Sequence, residues 1–149
     1  MTSTILQPLA DLIAETINAL SVDEPISAYS NDPGFAGLDS LPAAIVGPPI
    51  VERTDVDGGE SQLGSYDWRM EFPVTFLFDL GDSNTAQAQA LDSVEKFVTS
   101  LDLAALSVAD PSIVDAKVTR SEPGEIVDAA RPLMSYTCTV RVLKLLSYN

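Results

Sequence analysis

Apolar and polar residues alternate from Met70 to Leu80. The positions on one side are all apolar: Met70, Phe72, Val74, Phe76, Phe78 and Leu80. A period of two predicts a β-strand with one side facing the core. Its length, roughly 36 Å at ~3.3 Å per residue, is long for a strand. Pro73 falls on the other side of the alternation, which indicates either an edge strand or a β-bulge.

Two segments have apolar residues at spacings of three and four, which predicts amphipathic helices. The first is Thr4 to Leu20, with Pro8 in its first turn, where a missing N–H is tolerated. Its apolar side is predicted to consist of Ile5, Leu9, Leu12, Ile13, Thr16 and Leu20. The second helix lies within 85–102, and its buried side is predicted to consist of Leu91, Val94, Val98 and Leu101.

Shorter strands are predicted on both sides of these elements. A strand at Ile26 to Tyr29 precedes another at Leu41 to Val46, which Pro48 and Pro49 bend or end before pairing resumes at Ile50 to Arg53. Residues 114–119 alternate, with Val114, Ala116 and Val118 facing the core, and a loop is predicted over 121–132. In the last strand the predicted inward residues are Met134, Tyr136, Cys138, Val140 and Val142.

This order predicts one α+β domain over residues 1–149. We expect a largely antiparallel or mixed sheet of about five strands, with two helices packed on one face. Leu77, Leu143 and Leu145 are apolar residues on the opposite face. An antiparallel sheet can leave one face in water, and that face is then polar. Leucines on that face instead indicate contact with another subunit.

Charge and composition restrict the partners. The chain has 8 basic and 22 acidic residues, a formal net charge of −14. Sequence-independent nucleic-acid binding requires Lys and Arg to neutralise phosphates, and anionic lipid attracts the same residues. We therefore expect neither nucleic acid nor a membrane to be a bound partner.

The composition of the chain also excludes several common kinds of active site. The chain has no histidine, which excludes Ser-His-Asp and Cys-His catalysis and ordinary zinc sites. The single cysteine, Cys138, is predicted to be an inert core residue, and no glycine-rich phosphate-binding motif is present. We predict no catalytic residue, no metal and no cofactor.

Negative charge is concentrated in the acidic segment, Glu52 to Asp67. Its carboxylates are Glu52, Asp55, Asp57, Glu60 and Asp67, and its one cation is Arg53. Asp55 to Glu60 resembles a calcium loop but lacks the EF-hand spacing, and a glycosidase pair would need a cleft of fixed geometry. The other interpretation is a surface that repels a polyanion or contacts a partner protein.

Nearby aromatic residues and distant basic residues complete the set of candidates. Trp68 and Tyr66 are interpreted as filling the end of the core, with a partner-anchoring role as the alternative. Five basic residues lie in the last third of the chain: Lys117, Arg120, Arg131, Arg141 and Lys144. They are either ordinary surface charge or one side of a head-to-tail contact between copies, a contact type that closes into rings.

The order of the predicted elements and the character of several segments resemble a phage protein family. The N-terminal helix, "LPAAIVGPP", the acidic hairpin, "WRMEFPVTFLFDL", the second helix and "MSYTCTVRVLKL" are similar to tail terminators (minor tail protein U-like) and tail-completion proteins of long-tailed bacteriophages. The resemblance covers nearly the whole chain and includes no signature motif.

The resemblance implies a non-catalytic virion protein of the tail or neck, assembled in the host cytoplasm. Such subunits usually form a hexameric ring that stops polymerisation of the tail tube and offers a surface to the head connector. The acidic segment would then line a bore that passes double-stranded DNA without binding it. The alternatives are a head-closure or connector component, and a small acidic inhibitor that mimics DNA.

Overall fold

The computed structural model describes residues 5–31, 41–53, 68–79, 83–102, 106–108, 110–127 and 132–145. The elements are α1 (Leu6–Asn18), β1 (Ser27–Tyr29), β2 (Ala43–Val46), β3 (Ile50–Arg53), β4 (Trp68–Asp79), α2 (Ser83–Ser100), β5 (Ile113–Val127) and β6 (Pro132–Lys144).

The described strands form one mixed sheet of six strands. Their order is β1-β2-β4-β6-β5, and β3 pairs with β4 beyond the end of β2. Only the pairing of β1 with β2 is parallel among the described pairs. Both helices contribute to one core cluster on the same face of the sheet. The α+β prediction is therefore confirmed, with six strands instead of about five.

The core lies between the helices and the long strand predicted from the alternation. Phe72, Phe76 and Phe78 of β4 are fully buried, and the Phe97 ring of α2 meets Phe76 edge-on with centroids 5.3 Å apart. The predicted inward residues of β6 that are fully buried are Cys138, Val140 and Val142, which pair in register with Val74, Phe72 and Met70 of β4. The period of two thus identified the buried side of both central strands.

Pro73 lies in a central strand, and a bulge opposite it accommodates the proline. Val46 pairs with Val74 and Ile50 with Glu71, so three residues of the β2–β3 strand face two of β4. The Gly47 N–H donates to the Pro73 carbonyl at 2.7 Å. In an antiparallel strand the N–H and C=O of one residue point to the same neighbour, so the missing donor of Pro73 faces the interruption. The bulge alternative is confirmed and the edge alternative is wrong.

The first helix is confirmed, and small residues bring it close to the sheet. The buried positions of α1 are Leu9, Ala10, Ile13, Ala14 and Ile17. Leu9 and Ile13 were among the predicted inward residues. Ala10 and Ala14 extend the buried stripe, since their short side chains allow the helix backbone to approach β1 and β2.

The prediction for the buried side of α2 is confirmed at Val94 and Leu101 and wrong at Leu91 and Val98, because the helix is rotated relative to the predicted orientation. Leu91 and Val98 are 52% and 40% exposed, although both were expected to face the core. The buried positions are Ala86, Ala90, Ser93, Val94, Phe97 and the following Leu101. Phe97 is the largest of these side chains. The other buried residues within the helix are small, which allows the helix backbone to pack close to the sheet.

The loop predicted over 121–132 was wrong at 121–127 and at Pro132, because β5 continues as far as Val127 and β6 begins at Pro132. Residues 128–131 lie outside the described residues. The partner of β5, β6, is a long regular strand that offers backbone hydrogen bonds along its whole length. Pro123 is tolerated in β5 because β5 is an edge strand and needs no second neighbour. Register shifts after Ile113 and after Val118 mark two irregularities in β5, and the first explains why Ile113 instead of Val114 is buried.

The subunit contact predicted through Leu77 is not available. Leu77 lies on the sheet face opposite the helices, yet it is 1% exposed in the single chain. Its register partners Ala43 and Ser135 are buried with it. The other two leucines of that prediction, Leu143 and Leu145, are half-buried and 38% exposed.

Substitutions can test which side of α2 faces the core. We expect Phe97→Ala to lower the free energy of unfolding by about 3–5 kcal/mol, because it opens a cavity against Phe76. Leu91→Ala is the matched control and should change it by no more than about 0.5 kcal/mol, since Leu91 is exposed. Urea unfolding followed by circular dichroism measures both. Equal losses for the two variants would contradict the observed orientation of the helix.

Candidate functional site

The acidic segment is anchored at one end of the sheet. Arg53, the last residue of β3, is in register with Trp68, the first residue of β4, so the two ends of the connection lie side by side. Glu52 is exposed on β3. Asp55, Asp57, Glu60 and Asp67 lie within 54–67, outside the described residues. The acidic segment therefore comprises the end of β3 and the connection of the β3–β4 hairpin, and the predicted hairpin is confirmed.

The sheet face opposite the helices, the open face, carries alternating charges near this hairpin. Glu52 is in register with Arg69, and the Arg69 Nη2 atom lies 2.8 Å from Glu71 Oε1. In the next strands, the Arg141 Nη2 atom lies 3.0 Å from Asp115 Oδ2. These ion pairs are partly exposed, so each contributes little to stability. Their effect is to neutralise the open face locally in a chain with a large negative charge.

Three of the four described basic candidates pair with carboxylates of the same chain, so these four do not form a separate basic surface. Arg120 pairs with Glu122, Arg141 with Asp115, and Lys144 with Asp110. Arg131 lies outside the described residues. Lys117 is exposed and has no ion-pair partner among the residues that the structure describes. Their order in sequence gave no indication of which cations pair within the chain.

The pairing of Lys144 is the most buried of these contacts. Lys144 Nζ donates to Asp110 Oδ2 at 2.5 Å and also to Ser112 Oγ. The Ser112 backbone N–H donates to Asp110 Oδ1 at 3.1 Å. The side chains of Lys144 and Asp110 are only 12% and 26% exposed. This network, absent from the sequence predictions, fastens the turn before β5 to the end of β6.

The network changes the acidity of Asp110. Burial by itself raises the pKa of Asp110. The hydrogen bonds from Lys144 and Ser112, together with the positive charge of Lys144, outweigh burial and leave this pKa below the ordinary value of 3.8. The folded state therefore favours the ionised carboxylate.

Cys138 and Trp68 occupy the structural positions expected of them. Burial raises the pKa of the Cys138 thiol, and a hydrogen bond from Ser121 Oγ to the sulfur only partly opposes this. A raised pKa means little thiolate, hence low nucleophilicity. Trp68 packs against the core cluster, and its buried Nε1 has no acceptor among the described residues. Tyr66 lies outside them.

The described part of the chain holds no group of three or more Cys, Asp or Glu residues arranged to hold a metal ion. None of its helices has the length and hydrophobicity needed to cross a membrane.

Comparison with known proteins gives no assignment. No protein-family model matches the chain, and no curated protein matches it.

The depressed pKa of Asp110 predicts a pH-dependent stability. At about pH 7, Asp110→Asn should lower the free energy of unfolding by about 1.5–3 kcal/mol, because Lys144 loses a charged acceptor. Since the folded-state pKa is lower than the unfolded one, the contribution is complete above the unfolded value and is lost as pH falls through the folded value. The difference between variant and parent should therefore shrink below about pH 4.

Urea titrations at several pH values measure this difference. Asp92→Asn is the control, because Asp92 belongs to an exposed i,i+4 pair with Lys96 and should cost about 0.3–0.5 kcal/mol. A loss at Asp110 that stays constant from neutral to acid pH would contradict the assignment.

Proposed function

We propose that this chain is a structural virion protein of the phage tail-terminator type. Copies assemble into a ring, with six as the expected number, at the head-proximal end of the tail tube. The ring stops polymerisation of the tube protein and provides the joining surface for the head-connector or head-closure protein. The protein performs no catalysis and uses no cofactor.

The observation that carries this proposal is the anchoring of the acidic segment. Because Arg53 and Trp68 are paired, the segment connects two strands at one end of a rigid sheet, and every copy in a ring would present it at the same place. Five carboxylates and one guanidinium give −4 per copy, or −24 for six copies. Double-stranded DNA in a narrow bore would come within the screening length of ~8 Å at physiological salt. Like charge would keep that DNA from binding to the wall.

Exposed sheet edges support self-assembly. The four residues of β3 are all exposed, and Ile50 and Val51 are 64% and 39% exposed. Along its outer edge β3 has no neighbouring strand in the described part of the chain. The outer edge of β5 is likewise open there. Soluble proteins rarely leave apolar residues on an open edge strand without protection, so contact with another subunit is the simplest explanation.

The charge pattern of the open face is evidence against the DNA-mimic alternative. A mimic requires carboxylates in a continuous row that follows the spacing of phosphates. Here the described acids Glu71 and Asp115 alternate with arginines that neutralise them. The head-closure or connector alternative uses the same ring architecture. It is distinguished by which end of the tail tube or connector the purified ring binds.

Replacement of Asp55, Asp57 and Glu60 by lysine tests the acidic passage. Each ring of six would gain thirty-six positive charge units, because each substitution changes the charge by two. We expect rings to form as before in negative-stain images and genome ejection from assembled particles to slow, since lysines attract the passing phosphates.

The matched control changes the same charge elsewhere, with Asp11, Glu15 and Glu95 replaced by lysine; all three are exposed on the helices. Slower ejection only in the first variant supports the lumen assignment. Unchanged ejection removes the acidic segment from the bore. A wild-type chain that forms no ring, either alone at high concentration or on tail tubes, overturns the proposed function itself.

A further inference from the structure

One flank of α2 exposes large apolar side chains. Leu91 and Val98 are 52% and 40% exposed. They are seven residues apart, which places them on one side of the helix, roughly 10 Å apart along its axis. A separation of two residues corresponds to roughly 200° of rotation, so this side is opposite Gln89 and Lys96, which line a groove toward the segment before β1. We call Leu91 and Val98 the α2 flank.

The α2 flank lies toward the β5 edge of the sheet. The first helix, α1, packs against β1 and β2, whereas α2 packs against β4, β5 and β6. Gln89 and Lys96 face the side of the fold that holds α1 and β1, so the opposite flank faces β5, the last strand on that side of the sheet. An adjacent copy of the chain can therefore reach Leu91 and Val98 beside the β5 edge.

The other edge of the sheet has an apolar groove on the same, helix-bearing side. The groove has a volume of about 370 Å³ and lies between the first half of α1 and the β2–β3 bulge. Val51, 39% exposed, follows the bulge and is in register with buried Met70, so its side chain is on the helix side of β3. The apolar lining residues of the groove include Leu6, Ala10, Pro48, Pro49 and Phe72.

The two apolar surfaces are at opposite edges of one fold. Because β6 pairs with the whole length of β4, β3 lies on the same side of β4 as β2, away from β5. Copies placed side by side with their helices on the same side bring the α2 flank of one copy to the groove and Val51 of the next. Burial of these side chains would remove exposed apolar area from water on both copies.

Opposite charges lie at the same two edges on the open face. Lys117 of β5 and Glu52 of β3 are both exposed, and neither forms an ion pair with a described residue. One row of register partners runs across the sheet through Ile50, Glu71, Arg141 and Lys117. Glu52 follows Ile50 by two residues and is on the same face. In a neighbour that continues this row, Glu52 would be diagonal to Lys117, at roughly 7–8 Å, which a long side chain spans.

We infer that the β5 side of one copy packs against the β3 side of its neighbour. The α2 flank enters the groove beside Val51, and on the open face Lys117 lies opposite Glu52 of the neighbour. The inference rests on the proposed function and names the contact that joins one subunit to the next. The contact is head-to-tail, because its two sides are different surfaces, and such contacts can close into rings. Its apolar part supplies attraction between chains that repel each other through a net charge of −14.

Substitution of the α2 flank tests the apolar part of the contact. We expect Leu91→Ser with Val98→Ser to raise the dissociation constant of the assembly at least about tenfold, because the burial of two apolar side chains is lost. Both residues are exposed in the single chain, so the urea midpoint of the monomer should stay nearly the same. Ala88→Ser, at an exposed position of α2 outside the flank, is the control and should assemble like the wild type. Analytical ultracentrifugation and negative-stain imaging measure assembly.

Charge reversal tests the open-face part. We expect Lys117→Glu and Glu52→Lys each to raise the dissociation constant about fivefold, because each brings like charges together. The chain with both substitutions should assemble like the wild type. An equal mixture of the two single variants should form rings in which the variants alternate. Glu15→Lys makes the same charge change on the exposed side of α1 and should not rescue Lys117→Glu.

Wild-type rings combined with unimpaired assembly of the variant of Leu91 and Val98, or with a charge-swapped chain no better than the single variants, would overturn this contact and leave the proposed function standing. Intact rings of the flank variant that no longer bind tail tubes would assign the α2 flank to the tube protein and overturn the contact as well. A wild-type chain that is monomeric under all conditions would overturn both.

Discussion

Twelve consecutive residue pairs join β4 to β6 in unbroken antiparallel register, and the rest of the fold depends on this pairing. It places Phe72, Val74 and Phe76 beside Val140, Cys138 and Tyr136 on one face. A shift of one residue would turn that apolar set toward water, so burial of one face strongly fixes the register. Both helices pack on the face that results, and β2, β3 and β5 pair outward from the two central strands.

The same register sets the distribution of charge. It brings Arg69, Glu71 and Arg141 onto the open face, where opposite charges alternate across neighbouring strands. Most of the few basic residues are thereby used within the chain, and Lys144 is committed to Asp110 at the end of the sheet. A chain with a net charge of −14 then has little free positive charge to offer. Among the described basic residues, only Arg53 and Lys117 form no ion pair within the chain.

Architecture and charge together favour a structural role. The acidic segment, Glu52 to Asp67, carries five carboxylates, one on β3 and four in the connection from β3 to β4. The edge strand β3 also exposes the apolar residues Ile50 and Val51. The proposed ring uses the hairpin to repel DNA and the edges to join subunits. The resemblance to tail terminators suggested this role.

The sequence by itself determined the α+β class, the buried side of β4 and β6, the β2–β3 interruption and the hairpin that bears the acidic segment. These are local properties, because a period of two, a Pro-Pro pair or a concentration of carboxylates can be recognised without knowing any contact. Only the tertiary structure decided the rotation of α2, the extension of β5 through Pro123, the burial of Leu77, and the pairing of Lys144 with Asp110. Helix rotation depends on whether small or large residues meet the sheet, and an extended edge strand depends on its neighbour. The ion pairs of Lys144 with Asp110 and of Arg141 with Asp115 join residues that are distant in sequence, so their formation depends on the positions that the completed sheet gives to both partners.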